Sequence, residues 1–132
     1  MSMETDSDQS KARILVVDDD ADFVEIEKKM LESAGYAVET AYSGQECIQQ
    51  IKERSPDLLL LDIAMTKPYE GVDVAQFLRD HKETGDIPII VVTSKPIGSI
   101  YPEDMWYPTD EFISKPVDRQ ELLEKIEKLL KR

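Results

Sequence analysis

The residues of this chain best suited to chemistry follow its apolar runs. Asp18 and Asp19 come directly after ILVV, Asp62 after LLLL, Thr93 and Ser94 after IIVV, and Lys115, itself followed by Pro116, after FIS. If these runs are parallel strands of one sheet, the polar residues at their carboxyl ends share one edge, where open α/β sheets bind ligands. Three carboxylates, a hydroxyl and an ammonium then converge from distant parts of the chain. Crowded carboxylates resist ionisation unless a cation sits among them. Magnesium suits such a set, because it takes hard oxygen ligands, keeps several waters and uses one or two carboxylates beside phosphate oxygens. A carboxylate next to it can act as nucleophile toward a phosphoryl group, giving an aspartyl phosphate. Lys115 and the Thr93 hydroxyl then meet phosphoryl oxygens and neutralise their charge.

The elements that must hold these residues are legible in the hydrophobic pattern. Short β-branched runs at 13–18, 36–41, 57–62, 88–93 and 111–114 predict five strands, and three of them are apolar without alternation, as strands covered on both faces are. Between them, residues 21–34 predict a helix with Phe23, Val24, Ile26, Met30 and Leu31 on its apolar side and Gly35 as a left-handed stop. Ser43 caps a second helix running through Ile48 and Ile51, and residues 72–82 form a third carrying Val74, Ala75, Phe77 and Leu78. Asp118 and Glu121 have capping-box spacing ahead of a stripe of Leu122, Leu123, Ile126, Leu129 and Leu130. Strands alternating with helices predict an α/β fold with a doubly wound, five-stranded parallel sheet and helices on both faces. One helix slot, the fourth, is short or irregular, because Pro96, Gly98, Pro102 and Pro108 interrupt the segment 95–109. Residues 1–11 read as a flexible tail and 12–132 as one domain.

The motif set ILVVDDD, PDLLLLDIAM, VVTS and FISKP, in that order and spacing, resembles the CheY-like receiver domains of two-component response regulators, from residue 13 to about 131. The resemblance implies a flavodoxin-like strand order of 2-1-3-4-5 and Asp62 as phosphoacceptor. It implies magnesium held by Asp19 directly, Asp18 mainly through water, Asp62 itself and the backbone carbonyl of Ala64. Thr93 becomes the switch hydroxyl, Phe112 the switch aromatic and Lys115 the phosphate-contacting lysine, with a Lys115–Pro116 bond that is often cis in the family. Ala64 and Lys95 would flank the phosphoryl group. The expected partners are a histidine kinase or histidine phosphotransfer protein upstream and a protein of unknown identity downstream, with the receiver a monomer or weak homodimer. Two places depart from the family pattern. Met65 is followed by Thr66 rather than Pro, with one residue inserted around 67–70, and the segment 95–109 replaces the usual fourth helix. Tyr101, Trp106 and Tyr107 there are expected to cover the sheet that a helix would otherwise bury.

Composition bounds the rest. The chain has 132 residues, 16 Lys and Arg against 28 Asp and Glu, and a formal charge of -12, a field that repels nucleic acid and anionic membrane surfaces. One cysteine, Cys47, cannot form an internal disulfide and reads as half-buried packing; His81 reads as an exposed helix-end residue. No apolar stretch nears the roughly 18 residues of a spanning helix, and no secretory signal opens the chain, so a cytoplasmic location is expected. With no output domain after Arg132, the expectation is a stand-alone receiver that modifies and restores itself rather than a turnover enzyme. The alternative is a receiver-like binding module that is never phosphorylated. A haloacid-dehalogenase-like phosphatase is disfavoured because Asp22 stands where Thr or Val should follow Asp18-x-Asp20. A flavin binder is disfavoured because the turn DDDAD has no Ser, Thr or Gly to cradle phosphate.

Overall fold

A computed structural model of the protein describes residues 11–62, 70–93 and 110–131. Five strands are present: β1 Arg13–Val17, β2 Ala37–Ala41, β3 Leu58–Asp62, β4 Ile89–Thr93 and β5 Glu111–Ser114. Four helices lie among the described residues: α1 Ala21–Ser33, α2 Gly44–Glu53, α3 Glu70–Asp80 and α4 Arg119–Leu130. The sheet order is β2-β1-β3-β4-β5, and every adjacent pair is parallel. The expected doubly wound, flavodoxin-like architecture is therefore the observed one.

The unbroken apolar runs follow from two buried faces. Leu59 and Leu61 of β3 join Leu15, Val17, Ile89 and Val91 in a core under α2 and α3, which contribute Cys47, Ile51, Val74 and Leu78. Leu58 and Leu60 point the other way and join Ile14, Val16, Ile90 and Val92 under α1 and α4, with Val24, Leu31, Leu122 and Ile126. Each of the four β3 leucines is at most 1% exposed, a burial that stabilises the fold by about 1.5–3 kcal/mol per side chain. This doubly covered centre holds the ends of β1 and β3 rigidly side by side.

Local chemistry sets the helix ends. Asp20 caps α1 by accepting from the backbone N–H of Asp22 (3.0 Å) and Phe23 (3.2 Å), and Ser43 caps α2 through the N–H of Glu46 (3.0 Å). Gly35 takes the left-handed conformation (φ 95°) expected after α1. Asp118 accepts from the Glu121 N–H at 2.8 Å, but Glu121 turns its carboxylate to Lys125, so half of the expected capping box forms.

Several expectations need correction. Strands β2, β3 and β4 begin one residue later than the apolar runs suggest, and α3 spans Glu70–Asp80 rather than 72–82. Ile26 is 52% exposed: Val24, Glu27 and Leu31 share the inward face of α1, and Ile26 lies on the far side. Cys47 is fully rather than half buried. His81 is exposed as expected, stacked on Phe77 with ring centroids 4.1 Å apart. The expected insertion at 67–70 lies almost wholly outside the described residues. So do the expected tail up to residue 10, Ala64, Lys95, and the segment carrying Tyr101, Trp106 and Tyr107.

Candidate functional site at the carboxyl edge of the sheet

The strand ends meet as the register requires. In β3 and β4 Asp62 pairs with Val92, and in β4 and β5 Thr93 pairs with Ser114, which places Lys115 one residue beyond the edge. The Lys115 N–H donates to the Thr93 carbonyl (2.8 Å), and the Lys115–Pro116 bond is cis. Asp18 is anchored by its own N–H to the Ala41 carbonyl (3.2 Å). Its side chain accepts from the Asp20 N–H at 3.0 Å, tying the acidic turn to the cap of α1.

Asp18, Asp62 and Thr93 are buried, at 1%, 5% and 3% exposure, whereas Asp19 faces solvent. Carboxylate oxygens of Asp18, Asp19 and Asp62 lie within 4.8 Å of one another. The Lys115 ammonium sits among them, 3.0 Å from Asp18 Oδ2 and 3.6 Å from Asp62 Oδ2. Burial opposes its charge, but the hydrogen bond to Asp18 and the charges of Asp62, Asp18 and Glu27 outweigh burial, so its pKa is raised. Among the described residues, three acids against one ammonium give this edge an excess of negative charge. Hard oxygens that close, two of them withdrawn from water, fit a small divalent cation, since a further positive charge relieves the repulsion that folding imposes. Magnesium is thus matched by the donor set, with Asp18, Asp19 and Asp62 as the described residues able to hold it.

Of the residues singled out from sequence, Asp18, Asp19, Asp62, Thr93 and Lys115 are brought to this edge. Ala64 lies outside the described residues. Phe112 is half-buried against the core under α2 and α3, and its carbonyl accepts from Lys125 Nζ (2.8 Å).

Two side chains of α1 join the site without having been foreseen there. The Phe23 ring centroid lies 4.1 Å from Lys115 Nζ, a cation–π contact. Glu27, one turn further, is 2% exposed, and its Oε2 is buried with no hydrogen-bond partner among the described residues. Burial, then the negative charge of Asp18, pushes its pKa up to about 8 despite the counteracting Lys115, with Asp62 adding to the rise. The helical spacing of Val24, Glu27 and Leu31 was the available signal: a carboxylate occupies a position of the apolar stripe.

The same fold occurs in known proteins. Residues 14–127 match the family described as the response regulator receiver domain. The DNA-binding dual master transcriptional regulator RpaA of Synechocystis is 34% identical over 91% of this chain and 49% of its own length. A crystal structure of a putative response regulator from Chloroflexus aurantiacus superposes with a TM-score of 0.85 at 30% identity, covering 93% of this chain and all of that one. The response regulator TrrA from Thermotoga maritima, solved in complex with Mg(2+)-BeF, gives a TM-score of 0.77 at 36% identity over 89% of this chain and 98% of its own. The chain spans about half the length of the curated relatives it matches. No helix among the described residues is long and apolar enough to cross a membrane. On the match of 114 residues and on the architecture, the chain belongs to the receiver domains of two-component response regulators.

Proposed function

We propose that Asp62 is the phosphoacceptor of a magnesium-dependent receiver comprising residues 12–132. The observation that carries this reading is the position of Asp62: buried at the end of the central strand, with an ammonium 3.6 Å away and two further carboxylates beside it. An oxygen of its carboxylate attacks the phosphorus of a phosphohistidine on a kinase or phosphotransfer protein. The O–P bond forms as the P–N bond breaks, and the electron pair leaves on the imidazole nitrogen, which takes up a proton from water. Lys115 turns from the carboxylates to the phosphoryl oxygens, and the Thr93 hydroxyl donates to another of them. Asp18, Asp19 and Asp62, with the carbonyl of Ala64, would hold magnesium, which when bound supplies positive charge against the incoming phosphoryl group. Hydrolysis of the acyl phosphate returns Asp62.

The output is a changed surface offered to a protein partner, in which Thr93 and Phe112 serve as the switch. The acidic character of the domain supports a protein rather than nucleic acid as what it touches directly. A cytoplasmic setting belongs to the same proposal, since histidine kinases draw their phosphoryl groups from ATP. The mass of the native gene product decides between a stand-alone receiver and the receiver part of a longer regulator.

The test is intact mass after incubation with magnesium and acetyl phosphate. The wild type is expected to gain one phosphoryl group and Asp62→Asn none. A folded wild type that gains nothing would instead support a binding module that is never phosphorylated.

A further inference from the structure

We propose that Phe23 is a positioning residue for Lys115, its ring acting as a fixed seat that keeps the ammonium over the site when the carboxylates are otherwise engaged. The inference rests on the phosphoacceptor reading of the site. Among the described residues, Lys115 Nζ has three close contacts: Asp18 Oδ2 at 3.0 Å, Asp62 Oδ2 at 3.6 Å and the Phe23 ring at 4.1 Å. Two of these are carboxylates of the acidic cluster. Any cation drawn into that cluster competes with the ammonium for Asp18, and phosphorylation spends the charge of Asp62. The aromatic face alone attracts the ammonium without contributing a ligand that a second cation could take, because its attraction comes from the ring quadrupole.

The seat is itself well fixed. The Phe23 N–H donates to Asp20 Oδ1 (3.2 Å), and the Asp20 N–H donates to Asp18 Oδ1 (3.0 Å), so the ring's backbone is tied to the acidic turn through two hydrogen bonds. On its inner side Phe23 packs against the core that contains Val24 and Leu31. A lysine stem is otherwise free in several rotamers, and holding its head against a rigid face lowers the entropy lost when it meets the phosphoryl oxygens.

The test compares Phe23→Leu, which keeps apolar bulk without a ring, with Phe23→Tyr, which keeps the face. In the unmodified, metal-free protein, the ε-methylene protons of Lys115 should show an upfield ring-current shift in the wild type and in Phe23→Tyr, and lose it in Phe23→Leu. With magnesium and acetyl phosphate, Phe23→Leu should be labelled about fivefold more slowly than wild type and Phe23→Tyr within about twofold. Adding Phe23→Leu to Lys115→Ala should slow labelling no further. If Phe23→Leu does not fold, Phe23→Met takes its place. Lysine resonances unmoved by loss of the ring, or equal slowing by Phe23→Leu with and without Lys115, would overturn the proposal. A wild type that is never labelled would remove the phosphoacceptor reading, while the resonances would still decide whether the ring seats the lysine.

Discussion

The two edges of the sheet handle charge in opposite ways. At the amino edge, Arg79 of α3 donates to the carbonyls of Gly85 (3.1 Å) and Ile87 (2.7 Å) and to Asp110 (2.9 Å), and Asp110 also accepts from the Ile89 N–H (2.8 Å). One positive and one negative group are each bonded several times over, and the pair clamps the end of α3 to the starts of β4 and β5. At the carboxyl edge, among the described residues, one ammonium faces Asp18, Asp19 and Asp62, with Glu27 behind them. Both edges contain ion pairs of similar length, so the pair itself marks neither brace nor site. The balance among the described residues does: a charge-neutral pair whose hydrogen bonds are shared out is structural, whereas a cluster with more carboxylates than cations suits something that arrives.

That contrast can be broken by substitution. The largest effect is expected of Asp62→Asn: phosphoryl labelling is lost altogether, while the melting temperature rises by a few degrees because one repelling charge leaves the cluster. A lower melting temperature, measured by calorimetry, would mean that Asp62 is structural. Arg79→Met should do the reverse. It removes the guanidinium partner of Asp110 and the donor to two carbonyls and costs about 3 kcal/mol in denaturant unfolding, with labelling at Asp62 retained. Loss of labelling in a folded Arg79→Met protein would deny the separation of the two edges.

Glu27 gives a smaller, pH-dependent effect. Its carboxyl is neutral in folded and unfolded chains below the ordinary value of 4.5, so its full contribution to stability is present there. Above that pH the unfolded chain sheds the proton while the folded one keeps it to about 8, so stability falls as pH rises through this window. Relative to Glu27→Gln, the wild type should therefore lose about 2 kcal/mol between roughly pH 5 and pH 7, as read from paired urea titrations. Parallel pH curves would show that Glu27 titrates normally. The smallest effect is that of magnesium alone, which at about tenfold excess over its dissociation constant should stabilise the wild type by about 1.4 kcal/mol. The same addition should leave an Asp18→Asn/Asp62→Asn double variant unmoved.

How much of this was legible in the sequence follows the same division. The strands and the residues Asp18, Asp19, Asp62, Thr93 and Lys115 were readable because a parallel sheet turns strand ends into one edge, and apolar runs such as LLLL mark where each strand ends. Boundaries slipped by a residue at β2, β3 and β4, where Tyr36, Asp57 and Pro88 extend an apolar or turn signal beyond the hydrogen-bonded ladder. Ile26 was misplaced because its side chain is apolar, although its angle around the helix opposes Val24 and Leu31. Glu27 is hard to find for the complementary reason: its side chain is charged, although its angle around the helix matches Val24 and Leu31. The contact of Phe23 with Lys115 and the Arg79–Asp110 brace join residues far apart in the chain, and no local pattern encodes such pairings.

The central claim is that the unbalanced edge exists to place a phosphoryl group on Asp62. It is tested most directly by trapping the labelled protein with borohydride, which reduces an acyl phosphate to the corresponding alcohol, and sequencing the peptides. Homoserine at position 62 and at no other acidic position is the predicted result. Homoserine at Asp18 or Asp19, or a labelled protein with position 62 still aspartate, would contradict it.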